Sequence, residues 1–225
     1  MHSLAESYLF LLGLASGVVL LPITAYRRVS PPWLKWLLTA TGLFTISRYV
    51  TMALFTNAEA PQLFWGLRHC WFATSIGLTL PSVMAIDQLV RHPAMSPFKL
   101  LRLFSPFLAV YSTVILFGTM TPQPDRIAGW MPILSLRWQW LLSGVQTVFV
   151  IGFVGICAML IQKLPSRPIR GALLVLALAH LYLGFDGVLL ALGKWYFRPF
   201  LFSEIFALLA LWHAYDTSAS LQQTS

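Results

Sequence analysis

Long apolar runs alternate with short clusters of proline, charge and small polar residues along the whole chain. A helix rises about 1.5 Å per residue and a bilayer's hydrocarbon core is about 30 Å thick, so about 20 mostly apolar residues make one crossing. Seven runs meet that length: Ser7 to Tyr26, Trp33 to Phe55, Pro61 to Val90, Phe98 to Met120, Trp138 to Ile161, Gly171 to Gly193 and Pro199 to Tyr215. Between them lie segments such as Arg27-Arg28-Val29-Ser30-Pro31-Pro32, Thr121-Pro122-Gln123-Pro124-Asp125-Arg126 and Lys194-Trp195-Tyr196-Phe197-Arg198. Proline and charge end helices and hold such connections in water, and none is long enough to be a soluble domain. The pattern predicts an all-α fold: a polytopic membrane bundle of seven transmembrane helices over residues 1–216, then a short disordered cytoplasmic tail over 217–225.

Composition adds class and orientation. With 58% hydrophobic and only 10% charged residues, the chain is an integral membrane protein, and the lipid bilayer is its first partner. Arg27, Arg28, Lys35, Arg91, Lys99, Arg102, Lys163, Arg167 and Arg170 fall on one side of the predicted membrane; Arg68, Arg126, Arg137, Lys194 and Arg198 fall on the other. The positive-inside rule then places the N-terminus outside and the C-terminus in the cytoplasm, as an odd helix count requires. Glu6 before the first run and Arg27-Arg28 after it are the reverse of a signal peptide's flanks. The net charge of +8 lies mostly in cytoplasmic turns facing anionic headgroups, so no nucleic-acid partner is inferred. Cys70 and Cys157 fall within helices without metal-ligand spacing and read as small packing residues.

Packing signals are ordinary for a bundle. Gly13 with Gly17, Gly152 with Gly155, and Gly184 with Gly187 are small pairs expected to let helices approach closely. Trp33 and Trp36 at the inner end, and Trp65, Trp130, Trp138, Trp140 and Trp195 at the outer end, read as interfacial anchors.

The chemistry of interest lies at membrane depth. Arg48 sits inside an apolar run, where an arginine costs roughly 2.5–3.5 kcal/mol on insertion scales and must be compensated. Counted from the predicted outer ends, Arg48, Arg68, Asp186 and Glu204 all fall roughly 7–11 Å deep, with His69 beside Arg68. Helical spacing groups Thr41, Thr45 and Arg48 on one face, Arg68, Phe72, Ser75 and Thr79 on another, and Tyr182 with Asp186 on a third; all three are expected to face inward. Pro81 frees a backbone carbonyl in the third run. Two readings stand side by side. The charges either form a closed network fixing which helices are neighbours, or line an outward-facing pocket for a small ligand, with Arg48, Arg68, His69, Asp186 and Glu204 as its binding residues.

Other chemistries are weaker. His69 and His180 suggest bis-histidine ligation of haem in a redox protein or enzyme, but a buried histidine is more often simply hydrogen-bonded, and no cofactor is assigned. A metal site from His180, Asp186 and His213 is disfavoured because His213 falls near the cytoplasmic end, and no catalytic set is assigned. Asp87 and His213 read as inner-face groups near Arg91 or the helix termini. A transporter of duplicated halves lacks a sequence repeat, and a retinal pigment lacks a lysine in the last run.

Leu63-Phe64-Trp65-Gly66-Leu67-Arg68, followed by Gly77 and Leu80-Pro81, resembles the third helix of the seven-helix N-terminal sensor region of certain bacterial histidine kinases and diguanylate cyclases. Arg198-Pro199-Phe200-Leu201-Phe202-Ser203-Glu204, leading into the last run, is similar to the same family. The resemblance implies a plasma-membrane input module that reads an extracellular or membrane-borne cue and signals through its last helix. Only Thr217 to Ser225 follow Asp216, so a separate cytoplasmic signalling protein is the partner expected to carry the output.

Overall fold

A computed structural model describes residues 2–57, 61–91, 96–125, 128–192 and 200–223. Eight α-helices are present among them: α1 (His2–Val29), α2 (Pro32–Asn57), α3 (Pro61–Leu67), α4 (Ala73–Val90), α5 (Pro97–Phe117), α6 (Leu136–Lys163), α7 (Arg167–Ala191) and α8 (Leu201–Gln223). Five helical spans are long and apolar enough to cross a membrane: Ala5–Val29, Pro32–Thr56, Phe64–Val90, Leu136–Lys163 and Arg167–Leu189. The apolar part of α5 is shorter, Phe104–Phe117, and α8 is not among the five. Part of the reason is that α8 buries Ser203, Glu204 and Ser218 among its apolar residues. Trp195 and the rest of 193–199, like Arg126, fall outside the described residues.

The helices form a ring that α4 completes between α2 and α5 while also touching α7 and α8. Neighbours in the ring are α1 with α2, α5 with α6, α6 with α7, α7 with α8, and α8 with α1; α4 lies against α2, α5, α7 and α8. Leu78, Leu80, Met84, Ala85 and Leu89 of α4 are accordingly buried with Leu34 and Leu38 of α2, Leu173 and Leu176 of α7, and Leu208, Leu211 and Tyr215 of α8. By contrast α6 is apolar but largely exposed, with Trp140, Val148, Ile151 and Met159 turned outward, as expected of a helix whose outer face meets lipid. α1 and α8 run parallel. Near their C-terminal ends Tyr26 and Tyr215 meet edge to face at 4.5 Å, and Arg28 Nη1 lies 3.4 Å from Asp216 Oδ1.

Four expectations are corrected here. The third run is not one continuous α-helix: Arg68–Phe72 form a 3-10 segment between α3 and α4, with ψ near zero at Leu67 before it and at Phe72, its last residue. The α5–α6 connection is not irregular but an antiparallel hairpin, β1 (Met120–Asp125) with β2 (Gly129–Leu134), within a mostly helical fold compatible with an all-α bundle. Pro122 pairs with Pro132 while Pro124 sits two positions along, so the prolines occupy alternate pairs whose N–H positions the ladder does not use. Gly129, at φ +70°, turns tightly against the Phe55 backbone, where a side chain would collide, and so holds the hairpin against the end of α2. The predicted tail is also revised: α8 continues through residues 217–223 because Ser218 and Ala219 are buried and Ser218 Oγ donates to the Gln88 carbonyl at 2.9 Å.

The glycine pairs are the fourth correction. Gly13, Gly17, Gly152, Gly155 and Gly187 have open space where a side chain would stand; of the three pairs only Gly184 meets a neighbour, Val150 at 3.3 Å. The close helix approach is elsewhere, at Gly77 of α4, whose missing Cβ would fall on the Thr45 hydroxyl of α2.

Candidate functional site

Arg48 finds its counter-charge in Glu204. Nη2 lies 3.0 Å from Oε1 and Nε 3.4 Å from Oε2, a two-point contact between residues that are 6% and 3% exposed. The carboxylate accepts two further bonds, from Tyr49 Oη at 3.1 Å and Thr74 Oγ1 at 2.8 Å. The guanidinium also donates through Nη1 to the Trp71 carbonyl, with the Trp71 ring 5.7 Å from Cζ. A buried ion pair persists only when its remaining donors and acceptors are also matched. Here both oxygens of Glu204 and all three Arg48 nitrogens are engaged.

Local structure explains why these groups meet. Thr41, Thr45 and Arg48 are all buried on one face of α2, as their spacing predicts. Glu204 stands in the first turn of α8, where the helix dipole favours a negative charge. Trp71 lies in the 3-10 segment, and the break in the helix leaves its carbonyl open to the guanidinium.

The other members of the predicted layer do different things. Asp186 Oδ2 accepts from Ser203 Oγ at 2.5 Å and from the Phe200 amide at 3.1 Å, so it ties α7 to the start of α8, and among the described residues it pairs with no arginine. Phe200 has a positive φ of 72°, a conformation this anchor helps hold. Asp186→Ala is therefore expected to lower stability by about 1–2 kcal/mol, measured by unfolding in detergent micelles. Arg68 has no carboxylate partner among the described residues; its guanidinium lies over the Trp65 ring at 4.5 Å and its buried Nε has no hydrogen-bond partner. Tyr182, expected to face inward with Asp186, is instead exposed, with its ring 6.3 Å from Phe206 of α8.

The two candidate haem ligands are not brought together. His69 Nδ1 donates to the Ile115 carbonyl of α5 at 2.7 Å. His180 Nε2 lies 2.8 Å from Ser82 Oγ, and its ring packs against those of Phe149 and Phe153. Ser82 is nine residues into α4, so the His180 level lies about 14 Å further along the bundle than the 3-10 segment that carries His69. His213 is exposed, and among the described residues no three His, Cys, Asp or Glu side chains cluster to hold a metal.

At the opposite end α8 is bonded to α4 again: Tyr215 Oη donates to the Pro81 carbonyl at 2.9 Å, and Ser218 bonds Gln88. Asp87 is buried there and accepts from Gln88 Nε2 at 3.2 Å. Sequence reasoning missed Tyr49, Trp71, Thr74 and Ser203. The first three meet the Arg48–Glu204 pair across chain separations from 23 to 155 residues, beyond any spacing rule. No protein-family model, curated protein or solved structure matches this chain.

Proposed function

We propose that this chain is a seven-helix, receptor-like module of a bacterial plasma membrane, with its N-terminus outside, that takes a small anionic or amphipathic ligand at its outer end and signals to a cytoplasmic partner. One observation carries the reading: α8 holds the carboxylate that closes the outer network and also makes the inner hydrogen bonds to α4. Glu204 and Ser218 are 14 residues apart, about 21 Å along one helix, so a shift of α8 against α2 and α4 at one end is felt at the other. The parallel course of α1 and α8 supports an odd number of crossings, with α5 and α8 joining the five apolar spans. The resemblance of the Leu63–Pro81 and Arg198–Glu204 segments to bacterial sensor regions points the same way.

Within this proposal the predicted binding residues divide. Arg48, Glu204 and Asp186 satisfy each other or the backbone and act as the transmitting seam. Arg68 is the available cation, stacked on Trp65 with Nε unpartnered, and His69 is its chain neighbour. Together they favour a ligand with a carboxylate or phosphate beside an apolar or aromatic body.

The test is a thermal-shift screen of the full chain in lipid nanodiscs against alkyl carboxylates, aromatic carboxylates and alkyl phosphates. A binder should raise the transition temperature, and Arg68→Gln should weaken it about tenfold while leaving the unliganded transition within about 1 kcal/mol, since no ion pair is broken. The reading fails if none of these probes binds, or if Arg68→Gln alone unfolds the bundle.

A further inference from the structure

We propose that the groove between the inner ends of α6 and α7 binds the phosphate group of an anionic lipid. The groove has a volume of about 280 Å³ and is lined by Ile161, Arg167, Arg170, Gly171 and Leu174. Arg167 and Arg170 are three residues apart and so share a side of α7. Neither makes an ion pair: among the described residues the ion pairs are Arg28 with Asp216 and Arg48 with Glu204. Gly171 keeps the space open, since a Cβ there would meet nothing within 4 Å. Two guanidinium groups thus border one concavity with no protein anion to neutralise them, a donor set suited to the oxygens of a phosphate.

What lies below the groove favours a lipid over a free anion. Leu174 is seven residues past Arg167, about 10 Å deeper along α7. From there an exposed apolar stripe continues through Leu178, Leu181, Phe185 and Val188 at three- and four-residue steps. A headgroup held by the arginines would lay an acyl chain along that stripe. α6 and α7 are both among the spans apolar enough to cross the membrane, and the basic ends of the chain's helices mark this side as cytoplasmic by charge bias. Basic pockets between helices on that side are suited to anionic headgroups, whereas a soluble phosphate would use the arginines and leave the stripe idle. The inference does not depend on the receptor reading above.

Native mass spectrometry of the full detergent-solubilised chain with phosphatidylglycerol, phosphatidylcholine or inorganic phosphate tests it. Wild type should retain phosphatidylglycerol about tenfold more tightly than phosphatidylcholine, and the double variant Arg167→Gln, Arg170→Gln should lose that preference. Arg102→Gln on α5, outside the groove, should keep it. The same transition temperature for wild type and double variant checks that the fold is intact. The proposal is overturned if wild type shows no preference, if the double variant keeps it, or if Arg102→Gln abolishes it equally. Displacement of phosphatidylglycerol by equimolar inorganic phosphate would assign the arginines to a soluble anion and overturn the lipid assignment.

Discussion

Glu204→Ala is expected to destabilise the bundle by about 3–5 kcal/mol, because it leaves a buried guanidinium without its counter-charge. The loss reaches beyond one pair. Tyr49 and Thr74 both donate to the same carboxylate, so their hydroxyls would also be stranded, and α8 would lose its polar ties to α2 and the start of α4. Glu204→Gln keeps the size and one acceptor oxygen but not the charge, and should fall between wild type and alanine. Arg48→Met should cost a similar amount from the other side, since it leaves the Glu204 carboxyl buried with only hydroxyl donors. Combining Arg48→Met with Glu204→Leu should recover about half of the single-variant loss: the charges are gone together, but the Trp71 carbonyl and two hydroxyls stay unmatched. Denaturant unfolding of wild type, Arg48→Met, Glu204→Leu and the double variant gives a coupling energy, expected at about 2 kcal/mol or more. Additive single effects would remove the pair from the account of how α2 meets α8.

The second large effect is expected at Gly77. A Cβ here would overlap the Thr45 hydroxyl and stand 3.1 Å from both Thr45 Cβ and the Thr41 carbonyl. Both helices are buried at this point, so neither yields easily, and Gly77→Ala should cost about 1–3 kcal/mol, with Gly77→Leu worse. Thr45→Ala removes the nearest atom and should rescue Gly77→Ala in part, leaving the contact with the Thr41 backbone. The same alanine at Gly13, where a side chain meets open space, should be near neutral or slightly stabilising within α1. Thermal unfolding in matched detergent compares the three. If Gly13→Ala is as damaging as Gly77→Ala, the α2–α4 approach is not the special contact.

Much of the frame was legible in the chain because a bilayer imposes simple rules. Run lengths and proline-charged breaks located the helices, since every backbone group in lipid must bond within its own helix. Three- and four-residue spacing correctly predicted the buried Thr41–Thr45–Arg48 face. The demand for compensation gathered Arg48, Arg68, Asp186 and Glu204 at similar depth, and of these Arg48 and Glu204 meet. Depth, however, is one coordinate only. Rotation of each helix and its place in the ring decided that Glu204, not Asp186, answers Arg48, that Asp186 serves the start of α8, and that Arg68 stacks on Trp65.

Exposed small residues show the same limit, because a GxxxG reads alike whether it faces a helix or open space. The α5–α6 hairpin was hidden since three prolines argue against strands unless the register places them at unused positions, and register is a property of the pair. Likewise the 3-10 break at Arg68–Phe72 exposes the Trp71 carbonyl to Arg48, a partner more than a turn of sequence away and on another helix. Local pattern, set by hydrogen-bond geometry and the cost of burying polar groups in lipid, determined the helices and the charges that need partners. Which partners they take was decided by tertiary packing, because that choice depends on distances between segments that sequence spacing does not encode.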